Sequence, residues 1–182
     1  MLTPKRAITL YADSGRELPR VEAFEPVYRL GVRPRHGQVI MIVGRSGTQK
    51  SGLALYWVAQ MNLPTLYFAA DMTGSTVSTR LASMASGLTE EQVERAMDEG
   101  GPTRRRILDL LAESNIQIVT GELSWYNVAQ EIEAYTELWD CYPQVVVFDN
   151  LMDFEGAESE YTTQMAVMSN TTRFARDIGA TT

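Results

Sequence analysis

Cysteine, histidine and lysine are all scarce in this chain of 182 residues. The single cysteine, Cys141, excludes an internal disulfide framework and a cysteine-based zinc site, so we expect it to be a passive residue. The single histidine, His36, excludes a histidine-rich metal site and is predicted to lie in a loop. Only Lys5 and Lys50 are lysines, and the other fourteen basic residues are arginines. Lys50 is the one lysine outside the N-terminal tail, which calls for a chemical reason.

An excess of basic charge is also missing. The net charge is −7, with 45% hydrophobic and 21% charged residues, a composition typical of a globular domain. A basic, nucleic-acid-binding coat over the whole surface is therefore excluded. The charge is unevenly distributed, because residues 1–50 hold nine basic and four acidic residues, whereas residues 51–182 hold seven and nineteen.

Long hydrophobic runs are few. The first fifteen residues have no apolar run behind their basic pair and do not resemble a secretory signal. The longest uncharged run, residues 51–70, is long enough for a membrane span, but Gln60, Asn62 and Pro64 interrupt it. This run predicts a helix, a turn and a strand, and we expect a cytoplasmic protein.

Strands and helices are predicted to alternate after a short N-terminal arm or linker. The arm is assigned to residues 1–29 because prolines recur there without a clear periodicity, and a single core is assigned to residues 30–182. Continuous apolar runs predict buried strands at residues 39–43, 65–70, 116–119 and 145–148. Helices are predicted at residues 53–61, 75–86, 103–113, 126–139 and 161–178, with another that begins at a Thr89–Gln92 capping box. This order predicts an α/β fold, doubly wound, with a mainly parallel sheet and helices on both faces.

A phosphate-binding loop is predicted between the first strand and the first helix. The pattern G-x-x-x-x-G-K-[ST] is matched at its first glycine, its lysine and its hydroxyl residue. In such loops backbone N–H groups surround the phosphates, the lysine reaches the β and γ oxygens, and the hydroxyl binds Mg²⁺. The predicted nucleotide-binding residues are Gly44, Arg45, Ser46, Gly47, Thr48, Gln49, Lys50 and Ser51.

Gln49 departs from this pattern, since a glycine is expected in its place. A side chain at this position is predicted to strain the loop or crowd the nucleotide if the backbone needs a positive φ. The alternative interpretation is a strand–turn–helix with a chance Gly-Ser-Gly turn. The scarcity of lysine favours nucleotide binding, because a compact ammonium at Lys50 suits a triphosphate better than a guanidinium.

Two aspartates directly follow predicted buried strands, at the edge where parallel α/β sheets bind ligands. Asp149 is the predicted partner of Ser51 in holding a metal ion, and Asp71 is predicted to orient the attacking water. Asp153 is a second choice for the Asp149 role. The alternative for each is a turn or helix-capping aspartate, which is common after a strand.

Three stretches of sequence are more informative together than singly. Residues 30–38 lead into the phosphate loop, YFAADMT covers residues 67–73, and VVVFDNLMDF covers residues 145–154. In this order and spacing they resemble the RecA-type ATPase domain of DnaB-like replicative helicases, as found in bacteria and their phages. The resemblance covers residues 30–182 and implies a RecA-like P-loop NTPase with ATP and Mg²⁺ as cofactors. That family usually has glutamate where this chain has Asp71, which is one methylene shorter.

The resemblance also implies parts that are not in these 182 residues. A strand with a polar sensor, an arginine finger and a DNA-contacting loop would follow Thr182, so the fold is expected to be incomplete at its C-terminal strands. Only about thirty residues precede the match, where those helicases have a helical domain. The loop at residues 150–160 carries four acidic residues and no basic one, a poor surface for a phosphate backbone.

Three functions are therefore considered. The first is a Mg-ATP-hydrolysing domain of the DnaB-like helicase type in phage or bacterial DNA replication. In this role Lys50, Asp71 and Asp149 are the predicted catalytic residues, and Ser51 and Asp149 the metal ligands. The second is a nucleotide-binding assembly module with negligible hydrolysis, and the third a RecA-like recombinase or accessory ATPase. The resemblance implies self-association into a ring or filament, with single-stranded DNA as a further partner.

Overall fold

The computed structural model of the chain describes residues 15–154 and 161–182. Three parallel strands form a sheet in the order β2-β1-β3 within these residues. They are β1 (Thr65–Ala69), β2 (Ile116–Thr120) and β3 (Val145–Asp149). Because the central strand β1 pairs with both others, Ala69 lies opposite Thr120 on one side and Asp149 on the other. The strand ends that carry the two predicted aspartates therefore lie side by side.

Helices connect these strands at the positions predicted from the sequence. Side-chain caps fix three helix starts, since Thr73, Thr89 and Ser124 each accept a backbone N–H from three residues further on. The capping box at Thr89 and Gln92 is confirmed. The helices are α1 (Glu25–Arg29), α2 (Lys50–Met61), α3 (Gly74–Ser86), α4 (Glu90–Glu99), α5 (Gly101–Ala112), α6 (Trp125–Trp139) and α7 (Tyr161–Ile178).

The sheet is covered on both faces, as the α/β prediction requires. Alternate residues of β1 point in opposite directions, so Tyr67 packs with α2 and α3 while Leu66 and Phe68 pack with α6 and α7. All five residues of β1 are buried, which is typical of a central parallel strand. The predicted α/β fold, consistent with a RecA-like P-loop NTPase, is confirmed.

The strand predicted at residues 39–43 is not formed, and this prediction is wrong. Strand structure needs a hydrogen-bonded neighbour. Here the Ile40 N–H donates to the Thr182 carbonyl, and the Thr182 N–H donates to the Gln38 carbonyl. Thr181 in turn bridges to Val145 of β3. Past Ile40 the segment forms no backbone ladder with the described residues, and Val43 is 80% exposed. An apolar groove of about 180 Å³ lies between this segment, α2 and β3.

The N-terminal segment packs onto the core as far as it is described. Residues 1–14 of the predicted arm lie outside the described residues. From there on, the N–H of Leu18 donates to Pro34, and a 3₁₀ turn at Glu22–Phe24 leads into α1. The Phe24 ring stacks on Trp57 of α2 with centroids 4.4 Å apart. Residues 18–28 therefore contribute apolar contacts to the helix that follows the phosphate loop.

The acidic loop and the membrane span considered from the sequence can also be compared with the structure. Residues 155–160 of the predicted acidic loop lie outside the described residues. Across residues 15–154 and 161–182, no helix has both the length and the apolar character that crossing a bilayer would require.

Candidate functional site

The predicted phosphate loop is an exposed turn that ends at the start of α2. The carbonyl of Arg45 is its centre, because it accepts hydrogen bonds from the Thr48 N–H (3.3 Å), the Thr48 hydroxyl (2.8 Å) and Lys50 Nζ (3.1 Å). The Lys50 ammonium is thus folded back over the loop. The first N–H groups of α2 also point toward this loop, since helix N-termini leave them without intrahelical partners. This arrangement concentrates positive charge and hydrogen-bond donors in one place.

Gly44 is required by a close approach of the loop to itself. A β-carbon built at this position would lie 2.6 Å from Thr48 Oγ1, closer than real side chains come. That hydroxyl is engaged with Arg45, so it cannot move away without losing a hydrogen bond. The first glycine of the sequence pattern therefore has a steric reason in this chain.

Gln49 adopts the left-handed conformation expected of the missing glycine. Its φ is 61° and its ψ is 30°, and its carbonyl accepts the first helical hydrogen bond of α2 from Leu53. A non-glycine residue pays roughly 1–2 kcal/mol for this conformation. The structure thus shows the positive φ on which the predicted strain depends.

Ser51 and Asp149 are brought together from distant parts of the sequence. Ser51 lies in the first turn of α2 and Asp149 ends β3, and the serine hydroxyl donates to Asp149 Oδ1 at 2.9 Å. Asp149 is buried, with 8% of the residue exposed, so it lies beneath the loop rather than on the surface. These are the two residues that the sequence predicted as metal ligands.

Tyr67 is a site residue that the sequence interpretation missed. Its hydroxyl donates to the other carboxylate oxygen, Asp149 Oδ2, at 2.6 Å. Burial raises the pKa of Tyr67 well above its usual range, and the hydrogen bond to Asp149 adds to this effect. The tyrosine therefore stays protonated as a donor. The only sequence signal was a hydroxyl-bearing ring in an otherwise apolar strand, and the contact depends on a strand register that the sequence does not show.

The other residues singled out in the sequence do not contact the Asp149 carboxylate. Asp71 is exposed, two residues after β1, and its negative charge contributes to the raised pKa of Tyr67. Asp153 is exposed at the end of a 3₁₀ turn after β3, and its side chain forms no hydrogen bond or ion pair within the described residues. Cys141 is exposed after α6, whereas His36 is buried in a turn. The structure thus brings Ser51 and Asp149 into contact and leaves Asp71 and Asp153 at the solvent boundary.

These donors fit a magnesium-bound nucleotide. Mg²⁺ commonly binds one or two carboxylates and completes its shell with phosphate oxygens and water. Asp149 and Ser51 offer a carboxylate and a hydroxyl, and no group of three histidine, cysteine or acidic residues forms a separate metal cluster in the described part of the chain. The closely packed loop at Gly44 and the Lys50 ammonium suit an anion with several phosphate groups.

Comparison with known proteins gives two phage relatives. The Gene 65 protein of Mycobacterium phage L5 is 29% identical over 165 residues, which cover 88% of this chain and 59% of that protein. The Gene 65 protein of Mycobacterium phage D29 is 29% identical over 114 residues, covering 62% of this chain and 49% of that protein. The chain therefore spans about half the length of these curated relatives.

The AAA domain family matches the chain over residues 15–182. This match begins at the segment that packs on α2 and extends across the loop, the sheet and both covering layers. It covers all of the described residues, including the loop and the Ser51–Asp149 pair. The chain belongs to the AAA domain family, a family of P-loop ATPases.

Proposed function

We propose that this chain binds Mg-ATP at the loop of residues 44–51 and hydrolyses it, as an ATPase of the DnaB-like DNA helicase type in phage or bacterial DNA replication. The observation that carries this proposal is the 2.9 Å contact between Ser51 and Asp149 beside the folded-back Lys50. A metal-binding hydroxyl, a carboxylate and a phosphate-binding cation converge there from two elements.

Each residue of the site has a role that follows from its position. Lys50 and the loop N–H groups hold the phosphates, while Ser51 and Asp149 hold the cation. When bound, Mg²⁺ neutralises the negative charge that develops on the phosphate oxygens. Asp71, at the end of the neighbouring strand, orients the attacking water from the solvent side.

The helicase type is supported by the order of motifs and by the phage origin of the relatives. The phosphate loop, Asp71 after β1 and Asp149 at the end of β3 follow one another as in DnaB-like helicases. Because the chain spans 59% of the first relative, the self-association into a ring or filament and the binding of single-stranded DNA are proposals for the whole protein.

A nucleotide-binding module with negligible hydrolysis is the second candidate. Two observations favour it: Gln49 holds a strained conformation, and Asp71 is exposed and forms no hydrogen bond through its side chain with a described residue. A carboxylate that is not fixed in position contributes little to general-base catalysis. The two candidates share the binding site and differ only in turnover.

Calorimetric titration with ATP and Mg²⁺ tests the binding site. We expect Lys50→Ala to lower ATP affinity at least tenfold, because the variant loses a charge-assisted contact to phosphate. Arg95→Ala is the matched control, since Arg95 is an exposed cation of α4 paired with Glu91. Equal ATP affinity in the wild-type chain and Lys50→Ala would contradict the assignment of the loop.

Phosphate release with and without single-stranded DNA then separates the two candidates. ATP hydrolysis that rises on addition of DNA supports the helicase type and eliminates the non-hydrolysing module. Tight ATP binding without phosphate release, in the wild-type chain and after Gln49→Gly alike, supports the module instead.

A further inference from the structure

Both oxygens of the Asp149 carboxylate are held, each by a different element. Ser51 of α2 donates to Oδ1 at 2.9 Å, and Tyr67 of β1 donates to Oδ2 at 2.6 Å. Tyr67 is completely buried and its hydroxyl lies inside the protein, whereas Ser51 is partly exposed at the loop. The carboxylate therefore has a buried side and a side that faces the phosphate loop.

The register of the sheet explains why a tyrosine reaches this position. Tyr67 lies opposite Val147, so Asp149 is two residues further along the neighbouring strand and on the same face. Diagonal neighbours in a sheet are roughly 7–8 Å apart, which a tyrosine can span and a smaller hydroxyl residue cannot. The Tyr67 ring is packed among Leu55, Val58 and Val77, which fixes the direction of its hydroxyl.

We infer that Tyr67 is a positioning residue for the magnesium site: its hydroxyl fixes the rotation of the Asp149 carboxylate so that Oδ1 faces Ser51 and the cation. This inference rests on the proposed function, because it assigns Asp149 to the metal. A carboxylate with one oxygen held by a buried donor keeps the other oxygen aimed outward. Outer contacts of this kind typically change metal affinity 10- to 100-fold when they are removed.

A core-filling role alone accounts for the ring but not for the hydroxyl. Phenylalanine would fill the same space among the apolar side chains. It would leave Oδ2 of the buried Asp149 without its donor. The 2.6 Å distance is that of a strong O–H to carboxylate hydrogen bond. Tyr67→Phe therefore removes the positioning contact and retains the packing.

The test is the Mg²⁺ dependence of ATP affinity, measured by calorimetry from chelator to millimolar Mg²⁺. For Tyr67→Phe we expect the Mg²⁺ concentration at half-maximal effect to rise at least tenfold, with the affinity in chelator unchanged. Tyr135→Phe is the matched control, because Tyr135 is also buried but lies in the core on the opposite face of the sheet. It should match the wild-type chain in both conditions.

The outcomes separate this inference from the proposed function. If the wild-type chain does not bind ATP, the proposed function fails and the metal role of Asp149 fails with it. If the wild-type chain binds ATP with a Mg²⁺ dependence that Tyr67→Phe does not shift, only the role of Tyr67 is overturned. An equal loss of affinity with and without Mg²⁺ indicates a structural role and also overturns it.

A measurement on the wild-type chain covers the case in which Tyr67→Phe does not fold. The buried Tyr67 hydroxyl proton is expected to exchange slowly and to give its own NMR resonance. Addition of Mg²⁺ to the ATP-bound protein should move this resonance, because a cation at the other carboxylate oxygen weakens the hydrogen bond. A resonance that moves with ATP alone and not with Mg²⁺ would overturn the inference.

Discussion

At the scale of the residue, Gln49 shows that the loop can lack the usual glycine and still keep the left-handed backbone conformation of that position. Its left-handed conformation, with φ 61°, is the one that the expected glycine would adopt without strain. Its side-chain Oε1 lies back against the first turn of α2, 3.3 Å from where a β-carbon on Gly52 would stand. The loop therefore keeps its shape at the cost of a strained residue.

We expect Gln49→Gly to raise the free energy of unfolding by about 1 kcal/mol, because glycine adopts the left-handed conformation without a steric penalty. Urea denaturation followed by circular dichroism measures this change. Gln49→Ala is the control, since it removes the amide but keeps the β-carbon that causes the strain. Equal stabilisation by both variants would show that the side chain, not the backbone, is responsible.

Also at the residue scale, Tyr135 makes the stability of the folded chain depend on pH in the alkaline range. Burial raises the pKa of Tyr135 to about 12, with a smaller contribution from Cys141. A raised pKa means that the folded chain keeps a proton that the unfolded chain loses above about pH 10. Stability from this group is therefore fully present below about pH 10 and is lost as the pH rises toward 12.

Between pH 10 and 12 we expect Tyr135 to contribute a loss of about 1.4 kcal/mol per pH unit at most. Tyr67 acts in the same direction, since its pKa is also raised. Chemical denaturation across this range, with Tyr135→Phe compared to the wild-type chain, measures the difference. Tyr126→Phe is the control because Tyr126 is exposed. A slope unchanged by Tyr135→Phe would contradict the prediction.

At the scale of the element, the segment before the phosphate loop belongs to the packed structure. Phe24 is buried and stacks on Trp57, and Tyr28 accepts the Trp57 Nε1–H at 3.3 Å. The same tyrosine oxygen accepts the Val21 N–H, which fixes the chain before α1. Helix α2 thus has the sheet on one side and the N-terminal segment on another.

We expect Phe24→Ala to lower the free energy of unfolding by about 3 kcal/mol, because it removes a buried ring and leaves a cavity beside α2. Leu30→Ala is the control, since Leu30 is 84% exposed at the end of the same segment and should change stability little. Urea denaturation of both variants gives the comparison. A loss below 1 kcal/mol for Phe24→Ala would show that the segment contributes little to the core.

At the scale of the whole molecule, the sheet brings together residues that are far apart in sequence. Ser51 and Asp149 are 98 residues apart, and Tyr67 and Asp149 are 82 apart. Their contacts exist because β1 and β3 are parallel neighbours and α2 packs against the face that both side chains share. Thr182 likewise exchanges backbone hydrogen bonds with Gln38 and Ile40, which joins it to the segment before the phosphate loop.

The sequence alone predicted three of the strands, the helices and most residues of the candidate site. Apolar runs predicted β1, β2 and β3, and caps such as Thr89 marked helix starts, because these signals are local. The loop pattern and the aspartate at the end of β3 predicted phosphate-binding and metal-binding residues from known chemistry, and the structure brings Ser51 and Asp149 into contact. The phosphate loop was therefore recognisable even with Gln49 in place of glycine.

Only the tertiary structure decided what depends on pairing. Residues 39–43 have the apolar pattern of a buried strand, but a strand forms only with a hydrogen-bonded neighbour, and the described chain supplies one no further than Ile40. Tyr67 resembles any core aromatic in the sequence, and it is the register of β1 against β3 that places its hydroxyl on Asp149. Hydrogen-bond pairing between strands is non-local, so a linear pattern does not encode it directly.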